Sequence, residues 1–318
     1  MAPRIVVTGR IPEPGLALLR AAGEVWAWDG DDPAPVAVRD EQLATAEAAV
    51  TLLGVRVDDA FLDAAPRLRV VANVAVGYDN VDVEACRRRD VVVTNTPGVL
   101  TDATADLAMA LVLMVTRRLG EGERLIRSGQ PWKWGMFMML GRGLQGRTLG
   151  IVGLGAIGEA LAARARAFGM SILYHNRRPV GRAVEERLGA RFVDLDTLLA
   201  ESDVVSLNCP YTPETHHLVD TAALARMRPE AFLVNTARGP IVDEDALVAA
   251  RRSGAIAGAA LAVVEQEPQV HPGLVDRADV VLVPHLGSAT VETRTAMAEL
   301  AARNVIGVLS GEGPVTPV

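Results

Sequence analysis

Ten residues near the middle of the chain, Leu149-Gly150-Ile151-Val152-Gly153-Leu154-Gly155-Ala156-Ile157-Gly158, constrain the fold more than any others. An apolar run that reads as a strand passes directly into G-x-G-x-x-G and then into a segment of helical spacing. Each part of that turn has a physical reason. The first glycine makes the tight turn, the second leaves the backbone open to a pyrophosphate, and the third lets the helix pack close on the strand. The helix N-terminus then faces the phosphate charge. Alone, the pattern is weak in a chain with 29 glycines. Set between a strand and a helix, with another strand following, it predicts a dinucleotide site lined by Gly153, Gly155, Ala156, Ile157 and Gly158.

The same βα alternation runs through most of the chain. In the first hundred residues, Ile5–Thr8, Ala48–Leu53, Leu68–Val74 and Val91–Asn95 read as short apolar strands. Pro14–Ala22, Asp58–Ala64 and Val81–Arg89 carry helical spacing between them. Strands that are apolar throughout belong to parallel sheets covered on both faces. A long helix is predicted over Ala103–Arg127 with Thr101 as its cap. The alternation then resumes with strands at Leu149–Gly153, Ser171–His175, Arg191–Val193, Val204–Asn208, Phe232–Asn235, Ile256–Val264 and Val280–Val283. A last amphipathic helix covers Glu292–Leu309. Two βα arrays in tandem predict an α/β protein of two doubly wound parallel-sheet domains with an interdomain cleft.

Between the arrays, Ser128–Gly146 changes character, with Pro131, Trp132, Trp134 and the cluster Met136-Phe137-Met138-Met139-Leu140. Two readings stay open: a loop packed on its own domain, or an arm that reaches a second subunit through exposed apolar groups.

The end of the strand after the glycine turn bears on which dinucleotide binds. Eighteen residues past Gly158, where Asp or Glu would meet a ribose 2′-hydroxyl, stands Asn176, followed by Arg177 and Arg178. A carboxylate would repel a 2′-phosphate, whereas two guanidiniums attract it and can bond it bidentately. NADP(H) is therefore favoured over NAD(H). The competing reading is solvated surface, because the chain is rich in arginine and Lys133 is its only lysine.

Three later segments end in polar residues at strand termini, where doubly wound folds bind ligands. They are Asn235-Thr236-Ala237-Arg238-Gly239-Pro240, Glu265-Gln266-Glu267-Pro268 and Pro284-His285-Leu286-Gly287-Ser288. An arginine, a carboxylate and an imidazole suit reduction of a 2-keto acid. Arg238 would bind the substrate carboxylate and polarise the keto oxygen, His285 would donate the proton, and Glu267 would stabilise the imidazolium. Periodicity alone leaves His285 open between this role and a structural one. His175 lies near the expected cofactor, His216 and His217 read as loop, and His271 reads as surface.

Composition removes whole classes of function. The 318 residues suggest about two domains. A chain 50% hydrophobic and 22% charged is not a disordered one. A net charge of −7 without a basic stripe argues against nucleic acid as a partner. Cys86 and Cys209 have neither metal-ligand spacing nor the density of a disulfide framework, which fits a reducing compartment. The N-terminus lacks a secretory pattern, and the apolar run Leu107–Val115 is too short to span a bilayer. The expectation is a cytoplasmic protein with no membrane partner and no metal.

From about Val70 to Thr290 the chain resembles the NAD(P)-dependent D-2-hydroxyacid dehydrogenase family, most of all its glyoxylate/hydroxypyruvate reductase branch. The matching segments are VANVAVGYDNVD (71–82), TNTPGVLTDATADLA (94–108), GRTLGIVGLGAIGEALA (146–162), VNTARGPIVDEDAL (234–247), and EQEP (265–268) with VPHLGSAT (283–290). The resemblance implies a flavodoxin-like substrate domain, 1–98 completed by 287–318, and a Rossmann cofactor domain, 99–286. It implies that Arg238, Glu267 and His285 are catalytic and that the amides of Val76 and Gly77 hold the substrate carboxylate, with Leu53, Ala75 and Met138 beside them. Thr104, Cys209, Pro210, Thr215, Thr236, Ala237 and Gly287 would line the cofactor. A homodimer joined through the cofactor domains is also implied.

Two departures from the family pattern stand out. Where the family usually reads L-D-V-F-E, this chain has Leu261-Ala262-Val263-Val264-Glu265, so the acid that anchors the nicotinamide carboxamide is replaced by Ala262. Where similar reductases often carry a Trp near position 138 that reaches into the neighbouring subunit's active site, this chain has Met138, which is flexible and implies a wider or differently shaped pocket. Other branches fit less well. Phosphoglycerate dehydrogenases often append a regulatory domain, phosphite dehydrogenases place a lysine in the loop matching Ala75-Val76-Gly77, and formate dehydrogenases have Gln in place of Glu267. A different class, a dinucleotide-sensing protein of the same fold with little turnover, draws some weight from Ala262.

Overall fold

The computed structural model describes residues 2–30 and 32–318, and its contacts divide the chain into two compact units, Met1–Leu100 with Ser288–Val318, and Thr101–Gly287. The first unit holds β1 (Arg4–Val7), α1 (Glu13–Ala22), β2 (Glu24–Ala27), α2 (Val36–Leu43), β3 (Ala48–Thr51), α3 (Asp59–Asp63), β4 (Val70–Asn73), α4 (Val83–Arg88) and β5 (Val92–Thr94). Its strands are all parallel in the order β2-β1-β3-β4-β5, the flavodoxin-like arrangement. Ile5, Val6, Val7, Val70 and Val71 are wholly buried because helices cover both faces. Asp58 and Asp82 cap α3 and α4 through their carboxylates, which fixes where those short helices begin.

The second unit begins with α5 (Thr101–Thr116) and α6 (Leu119–Arg127). It continues through β6 (Thr148–Val152), α7 (Ala156–Ala167), β7 (Ser171–His175), α8 (Arg182–Leu188), β8 (Ala190–Phe192), α9 (Leu195–Glu201) and β9 (Val204–Leu207). It ends with α10 (Thr221–Arg226), β10 (Phe232–Asn235), α11 (Glu244–Ser253), β11 (Gly258–Leu261), α12 (Pro272–Val275) and β12 (Val280–Leu282). Its seven strands are parallel in the order β12-β11-β10-β9-β6-β7-β8. The order reverses at β6, which pairs with both β7 and β9. α5 packs against α7 and the β10–β12 side of the sheet. Its Leu111 and Val112 are fully buried, each worth about 1.5–3 kcal/mol of burial. The final helix, α13 (Val291–Ser310), belongs to the first unit, where it packs on α1 and on β3 and β4. Among the described residues no helix is long and apolar enough to cross a membrane.

Four sequence expectations need correction. β2 and α2 were not anticipated: β2 is a four-residue, partly exposed edge strand with no apolar run to announce it. The single helix expected over Ala103–Arg127 is two helices. Arg118 adopts the left-handed conformation, φ 55, and its guanidinium bonds Glu121 at 2.7 and 2.8 Å, which starts a new helix. Thr101 is the first residue of α5 and not a cap before it. The strand expected over Ile256–Val264 is only Gly258–Leu261. Ala262 to Val264 remain buried as loop, which is why they look like strand in the sequence.

Ser128–Gly146 contains no helix or strand. Trp132, Trp134, Met136, Phe137 and Leu140 are all exposed, Phe137 at 88%, whereas Met138 and Met139 are half-buried and Leu144 is buried in the core of the same unit. α6, which leads into it, buries no residue and exposes Leu119 and Ile126.

Candidate active site

Strand register sets the site in the second unit. Val152 at the end of β6 lies level with His175 of β7 and Leu207 of β9. Leu207 pairs with Asn235, Asn235 with Leu261, and Leu261 with Leu282. The residues that follow, Gly153, Asn176, Asn208, Thr236, Ala262 and Val283, therefore leave the sheet along one edge, the edge where open parallel sheets bind ligands.

The glycine turn has the shape its sequence requires. Gly153 has φ +97, and a side chain there would press against the Cys209 amide at 2.5 Å. A Cβ on Gly158 would meet the Gly153 carbonyl at 2.5 Å, whereas nothing lies within 4 Å of the Gly155 position. Gly155 is the N-cap of the twelve-residue α7, so Ala156 and Ile157 present the helix N-terminus to that open space. Two buried polar atoms on the same edge, Asn208 Nδ2 and Thr236 Oγ1, have no hydrogen-bond partner. Buried groups of this kind call for one. The open turn and these two atoms fit a dinucleotide. Asn208 was not anticipated from the sequence. It is the polar residue just past the β9 run and directly before Cys209, which is the signal that could have found it.

Asn176 is engaged by the protein itself. Its Oδ1 accepts the Leu154 amide at 2.7 Å and its Nδ2 donates to the Leu154 carbonyl at 3.3 Å, so it braces the glycine turn. Arg177 and Arg178 follow, both exposed. The buried Tyr174 hydroxyl accepts the Val180 amide at 3.0 Å and donates to Glu185 at 2.7 Å, which pins the segment beyond them. Burial, with the Glu185 bond, pushes that hydroxyl up to about 12. Glu214 is held below its ordinary value, first by Thr212 and to a lesser degree by the Arg177 charge. Arg178 makes no ion pair among the described residues.

Thr215 Oγ1 donates to the Pro210 carbonyl at 2.9 Å and accepts the Thr212 amide at 2.8 Å. Cys209 is a free thiol that burial pushes up to about 11, which makes it a packing group and not a nucleophile. Thr104 on α5 donates to the Gly287 carbonyl at 3.0 Å and so ties the segment after His285 to the helix.

His285 Nδ1 and Glu267 Oε2 are 3.0 Å apart, with the two side chains 34% and 40% exposed. With Nδ1 directed at a carboxylate, Nε2 is the ring atom left to carry a proton outward. Arg238 comes from the neighbouring strand end and is half-buried. Its Nη1 donates to the Ala237 carbonyl at 2.9 Å, and its own carbonyl accepts the Asn235 side chain at 2.9 Å. Ala262 is buried, with its amide donating to Asn235 O at 2.9 Å, and it brings no carboxylate to the edge.

In the first unit the corresponding strand ends carry Leu53, after β3, and Ala75-Val76-Gly77, after β4. Ala75 is buried. Asn95 Nδ2 donates to the Val76 carbonyl at 2.8 Å and Asn73 Nδ2 to the Gly77 carbonyl at 3.1 Å. Two amide side chains thus fix the peptide planes of that turn. Met138, in the loop of the second unit, is half-buried.

Residues 109–287 match the D-isomer specific 2-hydroxyacid dehydrogenase NAD-binding domain. Over 319 residues the chain is 48% identical to the glyoxylate reductase of Thermococcus litoralis, which covers 99% of this chain and 96% of the relative. A glyoxylate reductase structure from Paecilomyes thermophila superposes with a TM-score of 0.90 at 33% identity, over 100% of this chain and 98% of that one. The NADPH-dependent glyoxylate/hydroxypyruvate reductase of Sinorhizobium meliloti, solved with NADP and malonate, gives a TM-score of 0.87 at 36% identity, over 100% and 97% of the two chains.

Proposed function

From the premise that this chain is an enzyme of the D-2-hydroxyacid dehydrogenase family, we propose that it is an NADP(H)-preferring reductase of small 2-keto acids, glyoxylate and hydroxypyruvate. The product is the 2-hydroxy acid, achiral from glyoxylate and of D configuration from hydroxypyruvate. The observation that carries this reading is the His285–Glu267 pair, held at 3.0 Å on the same sheet edge as Arg238 and the glycine turn. The bound nicotinamide supplies the hydride.

The side chains do the rest. Arg238 binds the substrate carboxylate and polarises the keto oxygen, aided by the amides of Val76 and Gly77. His285 gives the proton from Nε2 to the oxygen that becomes the hydroxyl, and Glu267 stabilises the imidazolium. Leu53 and Ala75 shape the space for the substrate's remaining substituent, and Met138 reaches the same space in the second copy of the chain. Thr104, Cys209, Pro210, Thr215, Thr236, Ala237, Ala262 and Gly287 line the cofactor. Arg177 and Arg178 meet a 2′-phosphate, a preference supported by the lack of any acid at position 176. The exposed apolar loop 128–146 supports an arm that covers a second copy of the chain in a homodimer. The two free thiols fit a reducing compartment, the cytoplasm. A sensor with little turnover is the second reading, favoured by Ala262 alone.

Initial rates with glyoxylate, hydroxypyruvate and pyruvate, each with NADPH and with NADH, test this. Turnover is expected to be faster with NADPH, and replacing Arg177 and Arg178 by Ser is expected to raise the NADPH KM by about tenfold or more. Preference for NADH would overturn the arginine assignment. Absence of turnover with cofactor bound would favour the sensor.

A further inference from the structure

A second histidine–carboxylate pair stands beside the first. His217 Nε2 and Glu265 Oε1 are 2.7 Å apart. The other oxygen of Glu265 accepts the Glu244 amide at 3.3 Å, and Glu244 Oε1 accepts the Glu265 amide at 2.9 Å. Glu244 opens α11, so the Glu265 carboxylate also lies at a helix N-terminus, where negative charge is favoured. Burial, reinforced by the Glu265 charge, pushes the Glu244 carboxyl above its ordinary value. This exchange ties the segment leading to Glu267 to the helix that follows Arg238.

Three further contacts close the frame. The His217 amide donates to the Pro240 carbonyl at 2.9 Å, and Val219 pairs with Val242. At Gly239 backbone meets backbone, since a Cβ there would lie 1.9 Å from the Val264 carbonyl oxygen. The strip after Arg238 is therefore gripped by residues 217–219 on one side and 264–265 on the other. His217 itself has φ 50, a left-handed conformation uncommon for a residue other than glycine, and its ring stacks on His216 at 4.0 Å. Such a conformation persists only where its surroundings over-determine it.

We propose that His217, Glu265 and Glu244 are positioning residues that hold the Arg238 loop in register with the segment carrying Glu267, and through it with His285. The proposal rests on the reading of this site as a 2-keto acid reductase. None of the three needs to touch the substrate. Their effect passes through the placement of the Arg238 guanidinium, and a carboxylate clamp loses its value with a displacement of about 1 Å.

The test compares His217→Ala with His217→Gln, whose side-chain amide can donate in place of Nε2–H, in the full chain loaded with NADPH. Glyoxylate kinetics are read beside the affinity for oxamate, a stable analogue with the carboxylate and carbonyl of a 2-keto acid. His217→Ala is expected to raise the glyoxylate KM and weaken oxamate by roughly tenfold, with the NADPH KM unchanged. His217→Gln should recover most of that loss. Glu265→Ala and Glu265→Gln repeat the comparison from the other side of the bond. Wild-type kinetics and oxamate affinity in the alanine variants, equal damage from alanine and glutamine, or a loss confined to melting temperature would each overturn the proposal. A wild-type enzyme that turns over no keto acid would sink the reductase reading instead, and the oxamate affinities would still decide the clamp.

Discussion

His285–Glu267 and His217–Glu265 draw their glutamates from one stretch of chain, two residues apart, and the histidine side chains are 34% and 35% exposed. Exposure does not separate them, but connectivity does. Glu265 spends both oxygens, one on His217 and one on the Glu244 amide, and the His217 amide and ring face are taken by Pro240 and His216. In the other pair, Glu267 offers its second oxygen only a long 3.4 Å bond from the Val264 amide, and His285 keeps Nε2 without a partner among the described residues. Each histidine keeps one ring nitrogen without a partner among the described residues, Nδ1 in His217 and Nε2 in His285, so the contrast lies in the glutamates and in the backbone that grips His217. The same two residue types thus serve different ends according to how many of their atoms the fold has already used.

The largest expected effect breaks or upholds this contrast directly. His285→Ala should lower turnover by about 10²–10⁴-fold, as loss of a general acid does, while leaving NADPH affinity intact. His217→Ala should act mainly on the keto-acid KM. Single-turnover rates at saturating glyoxylate separate the two. Equal losses in the two variants would mean that connectivity does not distinguish the pairs.

The sequence made one pair legible and hid the other for a physical reason. Arg238, Glu267 and His285 each follow a short apolar run, and a polar residue just past a parallel strand is already a ligand-site signal. Their segments also carry the family's motifs. His217 follows no strand, and its partner is 48 positions away, so only the folded loops reveal the pairing. The glycine turn was readable because each glycine answers a steric demand. The break at Arg118 was not readable, because a left-handed arginine leaves no compositional trace. The apolar stretch after Leu261 misled in the opposite direction: a buried loop and a buried strand demand the same residues. The edge strand β2 escaped notice because partial exposure erased its apolar run.

Both pairs should be indifferent to which dinucleotide is bound, and Asn176 supplies the control. Asn176→Asp retains the acceptor for the Leu154 amide, loses the donor to the Leu154 carbonyl, and places a charge where a 2′-phosphate would lie. The NADPH Kd should rise by about tenfold, equivalent to about 1.4 kcal/mol, with a smaller change for NADH. Titration calorimetry with the two cofactors reads the difference. If NADPH weakens no more than NADH does, the 2′-phosphate lies elsewhere.

The smallest effect concerns a proton held by the clamp. Burial, with the Glu265 charge, raises the Glu244 carboxyl above its ordinary value of 4.5. The folded chain therefore binds more protons than the unfolded chain over the window that begins near that value. The contribution of Glu244 to stability is full below the window and is lost as pH rises through the folded value. Glu244→Gln keeps an acceptor for the Glu265 amide but removes the proton linkage. Urea midpoints measured over a pH series should fall more steeply with rising pH for the wild type than for this variant, so that the variant gains relative stability toward neutral pH. Parallel slopes for the wild type and Glu244→Gln would show that the clamp carries no proton linkage and works through hydrogen-bond geometry alone.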